Sequence, residues 1–175
     1  MVADSVVVRE ASVEDSEGIA RVRVLGWQDA YRGILPDSFL DDMSVASDAE
    51  RMRTWQWGSD QTPHYVAEID RELVGWVSLM VPGRDEDRGP TAAELVACYV
   101  LPSRWGQGIG PRMTAAAIET ARRQGMTSMY LWVLDDNVQA RRFYVRQGFA
   151  WDGTRKSEGP VPGLELAIIR MCRDI

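Results

Sequence analysis

The chain has one histidine, His64, and two cysteines, Cys98 and Cys172, among its 175 residues. One imidazole cannot build a multi-histidine metal site, and no nucleophile motif accompanies it for a Ser-His-Asp arrangement. No metal is therefore expected, and His64 in "QTPHYVAEI" reads as a polar residue at the start of a strand. The cysteines sit in apolar strand-like runs without metal-ligand spacing. They read as small core residues in a reducing cytoplasm rather than as a disulfide. Also missing is any run close to the ~18 apolar residues needed to cross a bilayer, so no membrane partner is expected. The start, "MVADSVVVRE", lacks the basic segment and long apolar run of a signal peptide. Basic charge is short too: 20 Lys and Arg stand against 26 Asp and Glu, a net charge of −6. Nonspecific nucleic-acid binding needs a basic surface that displaces counterions, so no nucleic-acid partner is expected.

What remains is an ordinary globular composition, 45% hydrophobic and 26% charged, at a length that suits a single domain over residues 1–175. "SVVVRE" (5–10) reads as a strand, and "SVEDSEGIARVRVLGW" as an amphipathic helix opened by a Ser12/Asp15 variant of the capping box. Breakers at Gly33 and Pro36 divide "QDAYRGILPDSFLDDM" into two short helical pieces, and "SDAERMRTWQWG" predicts a helix closing at Gly58. "HYVAEI" and "ELVGWVSLMV" flank a short hairpin turn, and "PGRDEDRGPT" is an exposed loop. "AELVACYV" is a strand without clean alternation, as when both faces are buried. Helix "RMTAAAIETARRQGM", strand "SMYLWVL", helix "DDNVQARRFYVRQGF" and a strand pair around "GPVPGLELAIIRM" follow. The order predicts an α/β fold with a mixed sheet, parallel across the glycine-rich crossover, and helices on both faces.

That crossover is the informative stretch. In "YVLPSRWGQGIGPRM" three glycines, Gly106, Gly108 and Gly110, lie between a strand and a helix. Glycine allows φ > 0 and close ligand approach, and a helix N-terminus offers open N–H groups suited to phosphate. Two familiar phosphate loops are absent. A dinucleotide fingerprint would need glycine where Pro111 or Met113 stands, and a Walker A loop would need lysine and then Ser or Thr where Pro111 and Arg112 stand. Further on, Asn137 and Tyr144 are seven residues apart, about 700° of helix, so they share one face two turns apart. Taken alone, Asn137 is a helix cap and Tyr144 a half-buried aromatic.

Together, "YVLPSRWGQGIG" and "NVQARRFYVRQGF" resemble the acetyl-coenzyme A signature of the GNAT N-acetyltransferase superfamily. The resemblance spans most of the chain, since the order of elements matches as well. It implies a mostly antiparallel sheet of about six to seven strands with a splayed central parallel pair. Coenzyme A would lie in that splay, bonding main-chain groups near Cys98, Tyr99 and Val100. Its pyrophosphate would rest on the loop Gly106, Gln107, Gly108, Ile109, Gly110 and Pro111, although Pro111 has no N–H to give. Trp105 departs from the family pattern, which often has Gln or Arg there. That removes one polar neighbour of the phosphates, a role open to Arg104 or Arg112. Asn137 would contact the coenzyme, and Tyr144 would lie near the thioester sulfur.

The reaction so implied is acetyl transfer to a primary amine of a small molecule or peptide by direct attack. A lysine-like amine with pKa ~10.4 is free base at about one part in 10³ at neutral pH, a handicap of roughly 4–5 kcal/mol that a base relieves. Glu94, at the start of "AELVACYV", resembles the base glutamate of one branch, and its alternative is a solvated strand-end carboxylate. The base of another branch is absent, because Trp132 stands at its position. Tyr144 suits hydrogen-bond donation to the leaving sulfur: full proton transfer from tyrosine (pKa ~10) to a thiolate (~8.5) is uphill by about 2 kcal/mol. Trp27 and Tyr31, four apart on a helix, are candidates for the acceptor wall, with an aromatic core pair as the alternative. Asp29, Asp37 and the acidic "RDEDRG" loop could attract a cationic acceptor. A homodimer is compatible with the resemblance. The competing function is a catalytically silent acyl-CoA-binding regulatory module.

Overall fold

The computed structural model describes residues 6–159 and 163–175. Residues 1–5 and 160–162 lie outside the described residues. Seven strands form one sheet, β1 (Val7–Glu10), β2 (His64–Ile69), β3 (Glu72–Met80), β4 (Ala92–Val100), β5 (Ser128–Leu134), β6 (Ala150–Glu158) and β7 (Leu166–Asp174). Their order across the sheet is β1-β2-β3-β4-β5-β7-β6, antiparallel everywhere except between β4 and β5. The helices are α1 (Ser16–Ala30), α2 (Asp37–Asp41), α3 (Val45–Arg53), α4 (Ile109–Arg123) and α5 (Val138–Arg146). Both α1 and α4 pack on β3 and β4, and α3 packs on α1.

Local chemistry sets most of these boundaries. The Asp15 carboxylate accepts the Ser12 N–H at 2.8 Å, the reciprocal half of a capping box, and closes a single tight turn before α1 begins. Ser44 Oγ caps α3 by accepting from the Ser47 N–H. The β2–β3 turn is made by Asp70 and Arg71, both left-handed at φ 50 and 66, the paired conformation whose twist matches a hairpin.

The local expectations meet these outcomes. The two helical pieces expected around the Gly33 bend are the end of α1, which runs to Ala30, and the short α2. Helix α3 stops at Arg53 rather than running to Gly58, because Trp55 and Trp57 leave the helix to pack around His64. The loop after β3 is exposed as expected, and it contains a tight turn, Glu86–Arg88, flanked by Asp85 and held through Asp87 on the buried Arg170.

The central parallel pair is brief. β4 and β5 are in register only at Ala92↔Ser128, Ala93↔Met129 and Glu94↔Tyr130. Beyond that point β4 stays paired with β3 as far as Val100, and β5 stays paired with β7 as far as Leu134. The two central strands therefore part. The cause is visible in the β3–β4 register, which passes from Ser78↔Ala97 to Leu79↔Leu95 and leaves Val96 as an extra residue. Such a bulge bends its strand and strengthens its twist. Val96 is left 43% exposed in the middle of the sheet, which explains the missing alternation in "AELVACYV".

His64 is not a surface residue. Its ring packs against Trp55 at 5.4 Å, Trp76 at 6.1 Å and Trp57 at 5.2 Å, and its Nδ1 has no partner among the described residues. Burial pushes its pKa down to about 4. A histidine buried neutral must be protonated in the unfolded chain first, so it costs no stability above its ordinary pKa of ~6.5. Stability is then lost as the pH falls from there toward 4, by less than about 1.4 kcal/mol per pH unit because solvent still screens part of the ring. Urea unfolding across this range should show a shallower acid slope in His64→Phe than in the parent chain. Identical slopes would mean that the imidazole titrates normally.

Candidate active site

The parting of β4 and β5 opens a cleft of about 880 Å³ that runs from the glycine loop to α1 and β6. One wall is the edge of β4 that β5 no longer covers, where Cys98, Tyr99 and Val100 face the cleft. Its backbone groups on that side lack a strand partner and can accept an extended ligand as a strand would. At the mouth, Gly106 and Gly108 take φ of 78 and 76, a left-handed conformation open to glycine at little cost. Gly108 is the residue before α4, so the open amides of the first turn begin at Ile109. Trp105 fastens the loop: its Nε1 donates to the Val100 carbonyl at 2.9 Å. The residue that departs from the family pattern thus serves as a brace between strand end and loop. Gly110 has an ordinary φ, but a Cβ there would lie 3.0 Å from the Phe143 ring of α5. Glycine at 110 is what lets α4 and α5 approach.

Helix α5 closes the far wall. The Asn137 Oδ1 caps it by accepting the Ala140 N–H at 3.0 Å, and the same residue lines the cleft. Two turns later Tyr144 lines the cleft too, its ring edge-on to Phe143 and Phe149. Burial holds the Tyr144 phenol well above its usual pKa, and the neighbouring Cys98 and Tyr99 push the same way. Tyr31 is raised by burial and by the phenols of Tyr99 and Tyr144. Tyr144 and Tyr31 therefore keep their protons at neutral pH. Cys98 lines it rather than lying in the closed core, and burial pushes its thiol up to about 12, too weak an acid to serve as a nucleophile.

Trp27 and Tyr31 line the opposite end, edge to face at 4.9 Å. Arg23 covers the Trp27 ring at 4.5 Å, and the buried Trp27 Nε1 has no partner among the described residues. The two rings pack on each other and also face the cleft.

Other expected residues stand elsewhere. Gln107 and Arg112 do not line the cleft; Arg112 reaches back to the Val6 carbonyl at 3.4 Å. Arg104 lines it but is paired with Glu72 at 3.2 Å. Glu94 is neither a solvated strand end nor a residue of the cleft lining. It is 3% exposed, takes two hydrogen bonds from the Arg84 side chain, and accepts from the Tyr130 hydroxyl at 3.2 Å. Burial alone would raise its pKa, but the Arg84 guanidinium outweighs burial and the net shift is downward. A carboxylate so held is a poor proton acceptor. The acidic loop is committed as well: Arg170, 5% exposed, bonds Asp85 at 3.0 Å and Asp87 at 2.7 and 2.6 Å, and also holds Asp152. Asp37 pairs with Arg32.

In their place the cleft gains Arg84, Asp85, Lys156 and Glu158, together with Trp132, which the sequence had marked only as a missing base. The Trp132 Nε1 donates to Asp85 at 3.0 Å, and the Lys156 ammonium lies 4.2 Å from the ring centre. Nothing local marks these residues, because they meet through the register of β5, β7 and β6.

Residues 27–149 match the model of the acetyltransferase (GNAT) family. The chain is 32% identical over 133 residues to the uncharacterized N-acetyltransferase YuaI of Bacillus subtilis, covering 75% of this chain and 73% of that protein. It is 31% identical over 142 residues to an uncharacterized N-acetyltransferase of Archaeoglobus fulgidus, covering 80% and 90%. Among solved structures it superposes on the PaiA N-acetyltransferase of Thermoplasma acidophilum in complex with coenzyme A, with a TM-score of 0.74 and 21% identity over 98% of this chain and 99% of that one. It also superposes on yncA, a putative acetyltransferase from Salmonella typhimurium with acetyl-CoA, at 0.67 and 21% identity over 97% and 93%. At such identities the structural matches speak for the fold.

Proposed function

Because the chain belongs to the acetyltransferase (GNAT) family, we propose that it moves an acetyl group from acetyl-CoA to a primary amine of a small molecule or peptide by direct attack. The observation that carries this reading is the cleft between β4 and β5, with an uncovered strand edge on one side and the protonated Tyr144 on the other. The residues present fit the coenzyme: an extended arm suits the free edge of β4, and phosphates suit the amides from Gly106 to Gly110. Acetyl-CoA supplies the activated acetyl group when bound. Tyr144 then has a proton with which to stabilise charge developing on the leaving sulfur, and Trp27 and Tyr31 exclude water and wall the acceptor. The amine must shed its proton to water, since Glu94 is committed to Arg84.

That commitment favours the second reading, a catalytically silent acyl-CoA-binding module. Two measurements separate the readings. Acetyl-CoA should raise the melting temperature by mass action, while NAD and ATP give no comparable shift. Thiol release from acetyl-CoA should appear with at least one member of a panel of amines. Stabilisation without release for every amine would establish the silent module, and equal stabilisation by NAD would remove both.

A further inference from the structure

The acceptor end of the cleft presents two cations, each braced from behind. Arg84 lies in the loop after β3. Its Nε donates to Glu94 Oε2 at 2.8 Å and its Nη2 to Glu94 Oε1 at 2.5 Å, while its Nη1 has no hydrogen-bond partner among the described residues. The arginine side chain is 61% exposed and that of the glutamate only 5%. A guanidinium clamped along one edge by a buried carboxylate turns its other edge outward, as a planar fork matched to a second carboxylate. Lys156 comes from β6, and both cations line the same cleft as Trp132. The tryptophan Nε1 donates to Asp85, the neighbour of Arg84, and the lysine ammonium covers its ring. Asp85 is engaged by Trp132 and Arg170, and Glu158 is paired with Lys156 at 2.9 Å, so the outer edge of Arg84 is the open cationic donor here and Lys156 stands beside it as one half of an ion pair.

We infer that the acceptor amine carries a carboxylate, and that Arg84, with Lys156 beside it, binds that group. The inference rests on the acetyl-transfer reading above and narrows its acceptor to an amino-acid-like small molecule. It reverses the expectation of a cationic acceptor drawn from the acidic loop, because Asp85 and Asp87 of that loop are spent on the buried Arg170 and Arg84 lines the cleft. A polyamine would have to bring its own charges against Arg84 and Lys156, which like-charge juxtaposition opposes. Glu94 acquires a definite task as a positioning residue that fixes the plane of Arg84.

The test uses acceptors that differ only in the carboxylate. Thiol release from acetyl-CoA is followed with the common L-amino acids, their carboxamides, and spermidine. For the preferred side chain, kcat/KM should be at least about tenfold higher for the acid than for its amide, the low end of what a hydrogen bond to a charged group contributes. The amide has the less basic amine and is intrinsically the readier nucleophile at neutral pH, so a preference for the acid must come from binding. Arg84→Gln should bring the acid-to-amide ratio close to one, mainly by raising KM for the acid, and Arg84→Lys should restore part of it. Lys156→Ala should lower the ratio several-fold. The parental ratio needs no variant, so a misfolded Arg84 variant does not spoil the test. A parental ratio of one or less, a preference for spermidine, or a ratio that survives both Arg84→Gln and Lys156→Ala overturns the inference and leaves acetyl transfer standing. No release with any acid, amide or polyamine overturns the acetyl-transfer reading and this inference with it.

Discussion

Tyr144→Phe should lower kcat by roughly 10²-fold or more, the scale of acid–base and charge-stabilising groups, while acetyl-CoA affinity barely changes. The ring keeps its edge contacts with Phe143 and Phe149, so packing survives the loss of the hydroxyl. What is lost is a donor whose bond strengthens only as charge develops on sulfur. Because burial holds the phenol well above its usual pKa, the donor stays protonated throughout the neutral range. The pH–rate profile of the parent should accordingly rise with deprotonation of the amine and show no limb from Tyr144 itself. Steady-state kinetics with a working acceptor and calorimetric titration of acetyl-CoA check both halves. An unchanged kcat, where chemistry limits the rate, would reduce the residue to packing; a loss confined to coenzyme affinity would make it a binding residue.

Gly110→Val should weaken acetyl-CoA binding by roughly ten- to a hundredfold, the range that corresponds to the ~1–3 kcal/mol typical of overpacking. An added Cβ would meet Phe143 at 3.0 and 3.1 Å, so the valine must push α5 away from α4 at the mouth of the cleft. Gly108→Val acts by a different route. Nothing lies within 4 Å of its added Cβ, but its φ of 76 is strained for any β-branched residue, at a cost of about 1–3 kcal/mol. Relaxation of that strain would turn the first amides of α4 away from the cleft. Circular dichroism establishes that the variants remain folded, and titration calorimetry reads the affinity. Unaltered binding in both would return the loop to the role of a tight turn.

The parts legible in the sequence are those written within a few residues of one another. Glycines that need φ > 0, the Asn137 cap and its partner on the same helix face, Tyr144, and the strand–glycine loop–helix unit all express local backbone chemistry. Local chemistry survives whatever the rest of the chain does. Even the splay of the central strands had a trace in the broken alternation of "AELVACYV", although only the register showed that Val96 is a bulge. The charge balance of the site was decided elsewhere. Whether Glu94 can take a proton depends on Arg84, ten residues away across the loop between β3 and β4. Whether the acidic loop can greet a cation depends on Arg170, which β7 brings 85 and 83 residues along the chain to Asp85 and Asp87. Lys156 reaches the cleft only because β6 pairs with β7 and β7 with β5, which places it over Trp132. A charged side chain has no fixed meaning until its partner is known. The sequence, through its resemblance to the family, pointed to the glycine loop and the Asn137–Tyr144 helix as the place for a coenzyme, and the order and register of the sheet decided which charges face the cleft.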